Sequence, residues 1–157
     1  MVTKQLIDPK SIVVVGGSDD IHKPGGAVLR NLQDGNFKGE LYVVNPKMDE
    51  VQGVKSYKDV RDLPVVDCAI LAIAAKYCPA AVEVLAKQKN TRAFIILSAG
   101  FHEENEEGAK LEKQIVDTID SVGGALIGPN CIGVLTNHYS GVFTQPIPKL
   151  DPRGVDL

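Results

Sequence analysis

Short apolar runs recur along this chain at a nearly constant interval, and that rhythm constrains its fold more than any other feature. The runs lie at residues 12–15, 41–44, 68–73 and 93–97, with a weaker fifth at 125–127. They are rich in β-branched residues and do not alternate with polar ones. Strands buried on both faces have this pattern, and parallel sheets bury both faces. The starts of the runs fall 25 to 32 residues apart. That is the length of a strand, a turn, a helix and a second turn, so the chain reads as repeated βαβ units. The intervening segments carry helical spacing. Residues 25–33 place Val28, Leu29 and Leu32 on one stripe, with Gly35 as a stop. Residues 79–88 open on Pro79 and bring Val82, Leu85 and Ala86 together. Residues 106–122 carry Leu111, Ile115, Ile119 and Val122 behind an acidic start that suits the helix dipole. One further short turn is expected at 58–63. The expected fold is α/β, a mainly parallel sheet of five or more strands with helices on both faces.

Length and charge narrow the function classes. A chain of 157 residues fits one domain, and it buries about two-thirds of its unfolded surface on folding. A net charge of -3 gives no basic field to draw a phosphate backbone, which argues against nucleic acid as a partner. The apolar runs are far shorter than the ~20 residues a membrane helix needs. Residues 1–10 show no apolar stretch of a signal peptide. Cys68, Cys78 and Cys131 form no CxxC pair, so they read as reduced thiols in a cytoplasmic protein.

The first strand runs into Gly16-Gly17-Ser18, and a helix follows near residue 25. In a doubly wound, Rossmann-like sheet this turn lies at the carboxyl ends of the strands, where ligands bind. Glycines let backbone amides approach a phosphate, and the helix start adds positive potential. The GxGxxG fingerprint is incomplete, because Gly16-Gly17-Ser18-Asp19-Asp20-Ile21 lacks the third glycine. The second strand ends Val43-Val44-Asn45-Pro46-Lys47. NAD binders place an acid near this point for the ribose hydroxyls, whereas a lysine attracts a phosphate on the ribose. NADP and coenzyme A both carry such a phosphate, so the chemistry leaves both open.

The motifs in register resemble a known family. Val14-Val15-Gly16-Gly17-Ser18, Lys23-Pro24-Gly25-Gly26 with Asn31-Leu32, and Val43-Val44-Asn45-Pro46-Lys47 resemble the opening of ADP-forming acetyl-CoA synthetases. Ser98-Ala99-Gly100-Phe101 with Glu106-Glu107-Gly108, and Gly128-Pro129-Asn130-Cys131-Ile132-Gly133, continue the likeness. The same order is similar to that of the succinyl-CoA synthetase alpha subunit and the front half of related protein acetyltransferases. The resemblance implies a coenzyme A site. Gly16, Gly17, Ser18 and Asp19 would wrap the adenosine diphosphate part, and Lys47 would meet the phosphorylated ribose. Ala74 and Ala75, then Leu97, Ser98 and Ala99, would line the pantetheine path. Two departures stand out. The pair Asp19-Asp20 sets acids beside a diphosphate, and Ala74-Ala75-Lys76 replaces the Val-Pro of many relatives.

The implied function is holding coenzyme A as the first domain of an NDP-forming acid-CoA ligase, which works through an acyl phosphate and a phosphohistidine. The domain would span residues 1–140, with 141–157 as an extended arm and the start of a truncated following domain. Partners would be the remaining ligase domains or an ATP-grasp subunit. A stand-alone CoA-binding regulatory module and an NADP-binding oxidoreductase half are the alternatives. No catalytic or metal-binding residue is expected. His22, His102 and His138 do not match the family's phosphorylated histidine and read as surface residues. Cys131 lacks a visible base and reads as structural. Glu103, Glu104, Glu106 and Glu107 read as charging the start of a helix.

Overall fold

The computed structural model describes residues 2–149. In chain order the elements are α1 (Lys4–Ile7), β1 (Ser11–Val15), α2 (Pro24–Asp34), β2 (Glu40–Val44), β3 (Glu50–Val51) and β4 (Val54–Tyr57). Then come β5 (Cys68–Leu71), α3 (Cys78–Gln88), β6 (Ala93–Ile96), α4 (Glu106–Ser121), β7 (Ala125–Ile127), β8 (Gly133–Leu135) and β9 (Ser140–Val142). Two 3-10 turns lie at Val60–Asp62 and Ala75–Tyr77.

The five apolar runs become β1, β2, β5, β6 and β7. They join β3 and β4 in one seven-stranded sheet, ordered β3-β4-β2-β1-β5-β6-β7. Every ladder is parallel except β3 with β4. Side chains alternate between the faces of a strand, and here both faces are covered. Val13, Val15, Leu71, Phe94 and Ile96 pack with Val82, Leu85, Ile115 and Ile119 of α3 and α4. Ile12, Val14, Ile70 and Ile95 pack with Val28, Leu29 and Leu32 of α2 on the other side. This explains why the runs lack alternation. Burying each such side chain stabilises by about 1.5–3 kcal/mol.

From Gly133 the chain forms an antiparallel ribbon, β8 with β9, whose second strand enters the arm expected at 141–157. That strand lies on α2, and Tyr139 to Val142 are buried. Asn31, itself buried, donates from Nδ2 to the carbonyls of Val142 (2.7 Å) and Thr144 (2.9 Å). The Tyr139 hydroxyl donates to the Leu6 carbonyl at 2.7 Å. These polar anchors satisfy backbone groups that burial would otherwise leave unpaired. The ribbon straddles residue 140. The end of that arm, residues 150–157, lies outside the described residues.

Candidate functional site at the carboxyl edge of the sheet

From β1 the chain crosses by α2 to β2 on one side, and from β5 it winds by α3 and α4 to β6 and β7 on the other. The crevice beyond the ends of β1 and β5 is therefore the topological switch point of the sheet. Glycines let three backbones meet there. Gly16 has a φ of +91, and a Cβ on it would strike the Ala72 carbonyl. A Cβ on Gly25 would strike the Gly16 carbonyl, and one on Gly26 the Asp20 carbonyl. Gly17 differs. Its Cβ would come 2.7 Å from Val43 Cγ1, so its bareness serves packing onto β2 and not only ligand approach.

The loop's own side chains are committed to its shape. Ser18 Oγ accepts from the Asp20 amide at 3.0 Å, and Asp20 Oδ1 accepts from the His22 amide at 2.9 Å. Asp19 Oδ1 accepts from the Gln52 amide at 2.8 Å. The two acids thus act as internal hydrogen-bond acceptors. Among the described residues, no protein hydrogen bond uses the amides of Gly17, Ser18 or Asp19. They lie beside the start of α2, and of the three residues Gly17 is buried, Ser18 half-buried and Asp19 exposed.

Two depressions flank the loop. The larger, about 680 Å³, lies on the α3 side and is lined by Gly16, Val44, Val60, Ile73, Ala81 and Val84 among others. Its rim carries Lys58 and Arg61. Arg61 grips Asp59 with Nε and Nη2 at 3.0 and 2.9 Å, and those hydrogen bonds hold the Asp59 carboxyl down at about 2. Lys58 Nζ lies 2.9 Å from Asp49 Oδ1. The smaller depression, about 270 Å³, is lined by Pro24, Ala72, Leu97, Ser98, Ala99 and Asn130. Ser98 Oγ donates to the Ile73 carbonyl, and the Asn130 amide donates to the Ser98 carbonyl at 2.9 Å.

The expected ligand residues therefore share one edge. Gly16 lines the larger depression, while Leu97, Ser98 and Ala99 line the smaller one. Gly17, Ser18 and Asp19 form the loop between. Ala74 precedes, and Ala75 begins, the 3-10 turn that leads into α3. Lys47 is exposed and lines neither depression; its amide donates to Asn45 Oδ1 at 2.9 Å. Sequence reasoning missed Gln52, at the tip of the β3–β4 hairpin. The Gln52-Gly53 pair marked a turn, but nothing in it told which backbone the side chain reaches.

The remaining reactive groups are quiet. The Cys131 thiol donates to the Ile96 carbonyl at 3.3 Å, and burial raises its pKa and pushes the Cys78 thiol up to about 12. His102 and His138 are exposed yet paired, with Glu112 at 2.6 Å and Asp8 at 3.5 Å. His102, Glu103 and Glu112 bring ligand atoms within 4.8 Å of one another, but Glu103 Oε1 already accepts from the amides of Gly100 and Phe101. No helix among the described residues is long and apolar enough to cross a membrane.

Comparison with known proteins identifies the family. The family described as CoA binding domain matches residues 10–137. The chain is 38% identical over 159 residues to an ADP-forming acetate–CoA ligase II of Archaeoglobus fulgidus, covering 97% of this chain and 23% of that enzyme. It is also 38% identical over 134 residues to the alpha subunit of an ADP-forming acetate–CoA ligase II of Pyrococcus furiosus, covering 85% of this chain and 29% of that subunit. Among solved structures, acetyl-coenzyme A synthetase 1 of Ca. Korarchaeum cryptofilum, in complex with phosphate and ADP, superposes with a TM-score of 0.84 at 32% identity. That match covers 94% of this chain and 32% of the other. The chain thus spans less than a third of each of these relatives. With the fold, the glycine loop and the family match in agreement, the chain belongs to the CoA-binding domain family.

Proposed function

We propose that this chain holds coenzyme A along the carboxyl edge of its sheet, as the thiol-substrate part of an NDP-forming acid-CoA ligase. The observation that carries the reading is the amide set of Gly17, Ser18 and Asp19, unspent among the described residues, beside an apolar cleft of about 680 Å³. The diphosphate lies against those amides and the start of α2. The adenine ring enters the apolar cleft, and Lys47 reaches the ribose phosphate from the adjacent turn. Pantetheine passes Ala74 and Ala75 toward Leu97, Ser98 and Ala99 at the smaller depression.

The acid is activated elsewhere in this reading, by remaining ligase domains or an ATP-grasp subunit. Residues 1–140 act as the CoA-binding domain, and 141–157 lead into the next. Support comes from the short span of the match and from the histidines, two of which are tied to carboxylates. Three unpaired cysteines fit a cytoplasmic setting. Isothermal titration calorimetry of the 157-residue chain tests the ligand: coenzyme A should bind more tightly than NADP, and the reverse order would overturn the proposal. Incubation with ATP, acetate and coenzyme A should give no acyl-CoA; product formed by the pure chain would relocate the chemistry.

A further inference from the structure

We propose that Gln52 is a positioning residue that holds the glycine loop in its ligand-receiving shape from the far side, without touching the ligand. The inference rests on the coenzyme A reading above. Gln52 Nε2 donates to the Ser18 carbonyl at 2.8 Å and to the Gly26 carbonyl at 2.9 Å. A carboxamide nitrogen has two protons, and both are spent on the two ends of one loop. Ser18 lies where the chain leaves β1, and Gly26 lies in the first turn of α2. The backbone of the same residue completes the staple. Its amide donates to Asp19 Oδ1 at 2.8 Å, and its carbonyl accepts from Gln33 Nε2 of α2 at 3.0 Å.

The hairpin pays for this placement with geometry, since Gln52 sits at a φ of +48, a region that glycine adopts freely and other residues avoid. It also sits apart from the larger cleft, which Gln52 does not line. The Val51 neighbour packs into the core on the α2 face, whereas the cleft opens on the α3 face. In a trans peptide the C=O and the next N–H point opposite ways, so a Ser18 carbonyl held by Gln52 turns the Asp19 amide away from the hairpin. Preorganised donors of this kind spare the ligand the cost of ordering the loop.

The backbone at position 52 makes the test clean. Gln52→Gly removes the two side-chain bonds of the staple, keeps its backbone bonds and suits the left-handed backbone, so the melting temperature should stay within a few degrees of the wild type. Coenzyme A affinity, read by calorimetry, should fall about five- to thirty-fold, the loss of one or two hydrogen bonds. Amide hydrogen exchange at residues 17–26 should quicken in the free variant and return to the wild-type rate when coenzyme A saturates it. If Gln52→Gly lowers the melting temperature further, Gln52→Asn serves in its place. Asparagine tolerates the same backbone and is too short to span both carbonyls. Unchanged affinity in either folded variant overturns the role of Gln52. Failure of the wild-type chain to bind coenzyme A overturns the ligand reading itself and this inference with it.

Discussion

Two loops at the carboxyl edge precede helices, and only one of them takes a brace from a distant hairpin. The loop from β6 to α4 is held by its own residues. Glu103 accepts from the amides of Gly100 and Phe101, three and two positions away, and Asn105 Oδ1 caps α4 through the Gly108 amide at 2.8 Å. The loop from β1 to α2 has no side-chain cap on its helix. Besides the short turns made by its own Ser18 and Asp20, it is held by Gln52, which lies 34 residues from Ser18 and 26 from Gly26, and by backbone contacts that only glycine permits. A locally capped loop keeps its shape whatever its neighbours do. A loop braced from a distant hairpin has its amides left unspent, which is what an anion site requires.

The comparison breaks most visibly at Gly25. Alanine there would gain roughly 1 kcal/mol in helix propensity. Its Cβ, however, would strike the Gly16 carbonyl, a backbone atom with no easy retreat. The clash should win, with Gly25→Ala costing up to about 3 kcal/mol in urea denaturation. A stable variant would show that the glycine contacts do not shape the loop.

Lys47 comes next. If it meets the ribose phosphate, Lys47→Glu should weaken coenzyme A by about 1.5–3 kcal/mol more than dephospho-coenzyme A. Since Lys47 lines neither depression, equal losses for both ligands would pass the phosphate to another cation of the cleft rim. The opposite loop gives the contrast. Asn105→Ala removes a cap and should cost about 1 kcal/mol of stability, while coenzyme A affinity stays within about two-fold. At this loop the brace supports folding; at the other it supports binding.

That contrast also marks what the sequence made legible. The five core strands and three long helices announced themselves through periodicity, because both faces of the sheet are covered and the helix stripes are continuous. The start of α4 was readable from Glu106 and Glu107, acids that act on the helix dipole within one turn. The glycine loop was readable as a loop. The β3–β4 hairpin was not, since strands of two and four residues carry too few side chains to show a period. The ribbon of β8 and β9 escaped for the same reason. Gln52 and Asn31 act across 26 to 113 residues of chain, and a hydrogen bond to a distant carbonyl leaves no pattern around the donor. The packing of Gly17 against the side chain of Val43 left no trace in the sequence around either residue.

The smallest expected effect sharpens the comparison at the self-braced loop. His102 Nδ1 lies 2.6 Å from Glu112 Oε1, tying the loop to the middle of α4. The hydrogen bond and charge of Glu112 raise the imidazole above its ordinary 6.5. A raised histidine contributes stability that is fully present below its unfolded value and is lost as pH climbs through the folded one. The loop should therefore loosen slightly from about pH 6.5 upward, and because the pair is exposed the effect should be weak. An NMR titration of the His102 ring should report a pKa above 6.5, and Glu112→Gln should lower it. Amide exchange at residues 100–105 should rise with pH beyond its intrinsic dependence in the wild type but not in Glu112→Gln. Residues 17–26, which carry no such pair, should show no matching change. An unshifted His102 would mean that the tie to Glu112 does not persist in solution, and that Glu103 and Asn105 alone hold this loop.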